Sequence, residues 1–195
     1  MEVWTTALRQ LLLMAHTLAF AFAIVALLRA DLAMLRTQRI DAAKLAATES
    51  LIARMLGLLW LTGGALVLLD PNLQWHALVL PPKLATKLTV VTLLTINGAV
   101  LHWVVFPKLT QPQDSPHAAA ALCAVTGAIS SVTWLYATFL GVGRLIAPIM
   151  NYGLFMGLYG LGLMVGVLVA MLFVRPRLER LMASGGRPEL RQVRA

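Results

Sequence analysis

The sequence predicts an all-α protein: a polytopic membrane helix bundle of five transmembrane helices, amino terminus outside and carboxyl terminus inside. Three observations carry that expectation. Of 195 residues, 59% are hydrophobic and only 12% are charged, whereas a soluble domain is about a quarter charged. The apolar residues fall into five long runs, separated by segments holding most of the prolines. The lysines and arginines gather on alternate connections between those runs.

A helix crossing a bilayer needs roughly 20 apolar residues. Leu11–Leu28 is uncharged and supplies the first. A signal peptide has a shorter apolar core and a charged front. Here the stronger basic cluster follows the run, so a retained helix is expected. Ser50–Leu69 is the second, with Arg54 near enough to its start to reach the headgroups. Leu88–Phe106 is the third, Ala118–Gly143 the fourth and Leu145–Val174 the fifth. Pro148 is expected in the first turn of the fifth, where proline is favoured. Pro71, Pro81, Pro82, Pro112 and Pro116 lie between runs, as helix breakers should. Residues 1–174 then form one transmembrane domain, and 175–195 a basic cytoplasmic tail.

Orientation follows from the basic residues. Arg29, Arg36, Arg39, Lys44 and Arg54 surround the first connection, Lys108 follows the third run, and six arginines follow the fifth, from Arg175 to Arg194. The opposite side holds Arg9, Lys83, Lys87 and Arg144. The richer side belongs in the cytoplasm, and the expected location is a bacterial inner membrane. The net charge of +8 is spread between apolar runs rather than gathered on one soluble patch. Membrane lipid is therefore the expected partner, and nucleic acid is not. Cys123 is the only cysteine, which excludes an internal disulfide and a cysteine-based zinc site. No phosphate-binding loop, HExxH motif, nucleophile elbow or paired-carboxylate site is present.

The polar residues inside the runs are the candidates for function, because ionisable groups in lipid are costly. At 100° per residue, Lys83, Lys87, Val91, Leu94, Gly98 and His102 share a stripe of the third helix, with Asn97 on its flank. His16 shares a face of the first helix with Arg9, Ala19, Ala23 and Ala30, small residues that admit a close neighbour. His16 lies roughly 12 Å below the outer boundary and His102 roughly 27 Å below it, at 1.5 Å per residue. Two histidines so separated do not ligate one iron. Lys87, about 4–5 Å deep, has a stem long enough to approach the level of His16. Arg144, Asn151, Tyr152 and Tyr136 fall in the same outer half. An outward-opening polar pocket is expected there, with His102 in a separate contact near the cytoplasm and Asn97 in an interhelical hydrogen bond. Glycines 153, 157 and 160 line one face of the fifth helix, and 162 and 166 the opposite one. Close packing is expected at Gly157, and one of the two faces is a candidate homo-oligomer seam.

The segments MAHTLAFAF, MLGLLWLTGGALVLL and KLTVVTLLTINGAVLHWVVFPKL together resemble the CopD/HemJ-like membrane proteins. These include copper-resistance protein D, the J-type protoporphyrinogen oxidase and relatives without an assigned role. The likeness runs from about Leu11 to Leu109. It implies that His16 and Lys87 match the oxidase's first-helix histidine and third-helix lysine, with haem b or porphyrin as cofactor. It also implies protoporphyrinogen-oxidase-like oxidoreductase activity, with a quinone or respiratory protein as redox partner. On this reading His16 is the metal ligand, and Lys87, Arg144, Tyr136 and Asn151 complete the outer pocket. Two other readings stand beside it. One is a copper or small-solute transport protein using Met14, His16 and the same pocket. The other is a structural or assembly protein whose polar side chains only join helices.

Overall fold

The computed structural model describes residues 2–36, 41–70, 80–110, 115–143 and 145–185. Every regular element among them is helical. In chain order they are α1 (Glu2–Arg36), α2 (Ala42–Leu68), α3 (Pro82–Val100), α4 (Phe106–Thr110), α5 (Pro116–Val142), α6 (Tyr152–Val169) and α7 (Arg175–Gly185). A π-helical turn, Leu101–Val105, joins α3 to α4, and another, Ala170–Val174, joins α6 to α7. The seven helices thus make five continuous rods, each long and apolar enough to cross a membrane. The expected fold class is observed.

Local chemistry explains where the rods start. The Asp41 carboxylate accepts from the backbone N–H groups of Ala43 and Lys44, capping α2. These are donors that the helix itself leaves unpaired. Pro82 and Pro116 begin α3 and α5, where a missing N–H costs nothing. Pro148 does not begin the fifth rod. It sits in a short 3₁₀ turn, Ala147–Ile149, and the rod starts at Tyr152 with Asn151 as its cap. The asparagine accepts from Leu154 N–H at 2.9 Å, so cap chemistry outcompetes the proline signal. The far end of this rod runs through Val174 into α7, so helix continues past the expected domain boundary. The arginines beyond Gly185 lie outside the described residues.

The rods form two groups. α1 and α2 pack chiefly on each other. Ala19 and Ala23 are fully buried in that contact and meet Leu59, so the small-residue face does bring a neighbour close. α5 is the hub of the second group and touches α3, α6 and α7. Trp134, at 1% exposure, is its largest fully buried side chain. Asn97 Nδ2 donates to Thr126 O at 3.1 Å, tying α3 to α5 as expected. On α6 the packing glycines are Gly162 and Gly166: an added Cβ would touch Val132 of α5 at Gly162, 3.4 Å away, and would clash with it at Gly166. Gly157 is exposed and has open space at its Cβ. The expected close contact at Gly157 is therefore found on the opposite face of the helix. Phe22, Leu61, Trp103 and Phe173 point outwards, as lipid-facing side chains do.

Threonines solve a recurring problem of helices in lipid, where each hydroxyl must find an acceptor. Thr62, Thr89, Thr95 and Thr133 each donate to a carbonyl four residues back. Each hydroxyl oxygen then accepts from a group on another helix. Trp60 Nε1 donates to Thr95 at 3.0 Å, Tyr152 OH meets Thr89 at 3.1 Å, and Tyr159 OH meets Thr133 at 2.8 Å. The fourth case, at Thr62, involves His16.

Candidate functional site

His16 lies half-buried in α1, facing α2. Its ring packs over Gly63, where even a Cβ would approach Cε1 to 3.2 Å. Nδ1 lies 2.8 Å from Thr62 Oγ1. Thr62 spends its hydroxyl proton on Leu58 O, 2.7 Å away. It can therefore only accept from the imidazole, so Nδ1 carries the proton. The neutral ring then presents Nε2 as a bare lone pair. A hydrogen bond from one ring nitrogen to a fixed acceptor is the usual way to aim the other at a metal or a proton.

One turn towards the amino terminus, a recess of about 520 Å³ opens between the start of α1, the end of α2 and the start of α3. Arg9, Lys83 and Lys87 line it, with Gln10 and Asp70. Arg9 reaches Asp70 at 3.9 Å, and Lys83 Nζ donates to Gly143 O at 3.1 Å. Leu13 and Leu66 form part of its apolar wall. Lys87 is within electrostatic reach of the His16 ring. The lysine thus belongs to the recess, and the histidine lies just beyond its lining.

The other expected pocket residues that are described lie elsewhere. Tyr136 is buried in α5 beside Tyr159, with ring centroids 5.1 Å apart, and donates to Phe155 O at 2.6 Å. Asn151 is spent on its cap. Tyr152 is tied to Thr89. Arg144 lies outside the described residues. Met14 is exposed, and two residues of helix turn it about 200° away from His16. Its sulfur and the His16 imidazole do not share a site. No three His, Cys, Asp or Glu side chains converge as a metal site among the described residues.

His102 belongs to the opposite, tail end of the bundle. It lies in the first π turn and pairs its Nδ1 with Glu49 Oε1 of α2. Nearby, Ser131 of α5 donates to Asp31 of α1 at 2.6 Å. Sequence reasoning passed over Asp31. Its signal was present: Ala19, Ala23, Leu27 and Asp31 recur at helical spacing, and the first three are buried.

The geometry defines a polytopic helical membrane protein with polar sites at both ends of one internal seam. No family model, curated protein or solved structure matches the chain.

Proposed function

We propose that the protein handles a tetrapyrrole, haem b or a porphyrin, at the amino-terminal end of the bundle, in a bacterial inner membrane with that end outside. The observation that carries this reading is the Thr62-locked tautomer of His16, which frees Nε2 as a ligand beside a basic recess. The donor set suits the group. An imidazole lone pair suits iron. Arg9, Lys83 and Lys87 suit carboxylates, for which charge-assisted hydrogen bonds are the strong ones. The recess volume, about 520 Å³, lies within the roughly 300–1,000 Å³ typical of ligand sites.

A bound haem supplies one-electron chemistry. The chain's own residues supply the rest. His16 Nε2 would hold the metal or, with a free porphyrin, accept a proton. Thr62 holds the ring in register through Nδ1. Lys87 and its neighbours neutralise the ligand's acid groups near the surface. The resemblance to CopD/HemJ-like proteins agrees with these roles, and a quinone or respiratory protein would be the electron partner.

The test is an absorption spectrum of the purified, haemin-titrated protein. A Soret band is expected in the wild type. His16→Ala should abolish it, and Lys87→Ala should weaken haemin binding about tenfold. Thr62→Val, which removes the acceptor but keeps the shape, should shift the band, while Thr62→Ser restores it. A wild type that binds no haemin or porphyrin overturns the reading.

A further inference from the structure

Between the α1–α2 pair and the α5-centred group, the seam widens at the tail end into a second cavity, about 720 Å³. Gly57, Gly98 and Gly127 border it from three helices, and a Cβ on any of them would meet nothing within 4 Å. Trp60, Trp134 and Phe106 add aromatic walls. Both π-helical turns line it. Such turns are rare and often mark functional sites.

The cavity's charge is one-sided. Its titratable lining is Asp31 from α1, Glu49 from α2, His102 from the π turn and Cys123 from α5. No lysine or arginine lines it among the described residues. Glu49 is matched by His102, which can carry a proton. Among the described residues, Asp31 meets the neutral Ser131 hydroxyl, whose one proton is shared with Gly127 O at 3.0 Å. A carboxylate has about four acceptor positions, and this hydroxyl fills one of them. A carboxylate in an apolar, aromatic chamber is the complement of a lipophilic cation. The charge would be met by the acid, and the aromatic faces would add cation–π attraction.

We propose that this cavity binds a lipophilic cation, an aromatic amine or onium ion, with its charge at Asp31 and its body against Trp60. The proposal does not depend on the tetrapyrrole reading, since it uses the other end of the seam.

The test uses the full-length protein in detergent and two probes of one shape and opposite charge, tetraphenylphosphonium and tetraphenylborate. Binding is followed by quenching of tryptophan fluorescence and by equilibrium dialysis. Saturable binding of the phosphonium is expected, with the borate weaker by about tenfold or more. Asp31→Asn should weaken phosphonium binding about tenfold, and Gly98→Leu, which projects a side chain into the cavity, should block it. Equal binding of the two probes overturns the proposal. So does undiminished phosphonium binding by a folded Asp31→Asn variant, or no saturable binding by the wild type. Should Asp31→Asn fail to fold, Gly98→Leu decides: undiminished phosphonium binding there overturns the proposal too.

Discussion

The two ends of the seam share α1, α2 and α3 and carry opposite chemistry. At the amino-terminal end, Arg9, Lys83 and Lys87 surround a recess whose one lining acid among the described residues is Asp70. At the tail end, Asp31 and Glu49 face a larger cavity with His102 as their basic neighbour. Between them lies an apolar layer of Ala19, Ala23, Leu27, Leu59, Leu94 and Trp134, of which Leu27, Leu94 and Trp134 also border the tail-end cavity. The stripe on α3 runs past all three levels: Lys83 and Lys87, then Leu94, then Gly98 and His102. One helical face therefore serves two sites. Their separation depends on the middle layer.

Removing that layer is the severest way to break the contrast. Trp134 fills it almost without exposure, and its ring meets Phe20 at 5.5 Å between centroids. Trp134→Ala should cost about 3–5 kcal/mol, the range for large aromatic truncations. Thermal unfolding in detergent would show it, and an unchanged midpoint would mean that the layer is not packed.

A smaller effect sharpens the account of which face of the fifth rod belongs to the bundle. Gly166 lines the tail-end cavity and abuts Val132. Valine is stiff at χ1, so Gly166→Ala should cost about 1–3 kcal/mol by overpacking. Gly157→Leu, on the exposed face, should change stability by no more than about 0.5 kcal/mol. Both are read from the same unfolding curves. The reverse order would place the packing face at Gly157.

The smallest effect concerns the exposed start of α2, at the tail end. Hydrogen bonds from the Lys44 backbone, then from its side chain, hold the Asp41 carboxyl below the usual carboxylate range. The folded value is lower than the unfolded one. The cap's contribution is therefore complete above the unfolded carboxylate range and is lost as pH falls through the folded value. An acid titration followed by circular dichroism should show slight loss of helix in that window. Asp41→Asn should remove the pH dependence while keeping the cap.

Much of this was legible in sequence because lipid imposes simple rules. Apolar run length gave five rods, and the 3.6-residue period placed Ala19, Ala23 and Asn97 on packed faces. The depth argument separated His16 from His102, and they have different partners, Thr62 and Glu49. What stayed hidden depends on tertiary pairing. Tyr136 and Asn151 share one half of the bundle with Lys87 by depth, yet one points into α6 and the other caps it. Depth is a single coordinate and says nothing of azimuth between helices. Two glycine faces on one helix look alike in sequence, and only Val132 distinguishes them. Asp31 escaped because the uncharged run stops at Leu28 while the helix continues to Arg36. A hydropathy boundary is not a helix boundary.

The π turn at Leu101–Val105 has a consequence for ancestry. Its closing hydrogen bond runs from Phe106 N–H to Leu101 O, five residues back rather than four. It therefore holds one residue more than an α turn, and everything beyond it is rotated by roughly 100° relative to an unbroken helix. Val105 and Leu109 reach the interior in that rotated phase. A single-residue deletion here would act as a twist of the helix end rather than as a shortening. A relative lacking that one residue could present other side chains to the same cavity while its hydropathy profile stayed the same. Comparing such chains position by position, without a gap at this turn, would pair lipid-facing residues with interior ones from Phe106 onwards.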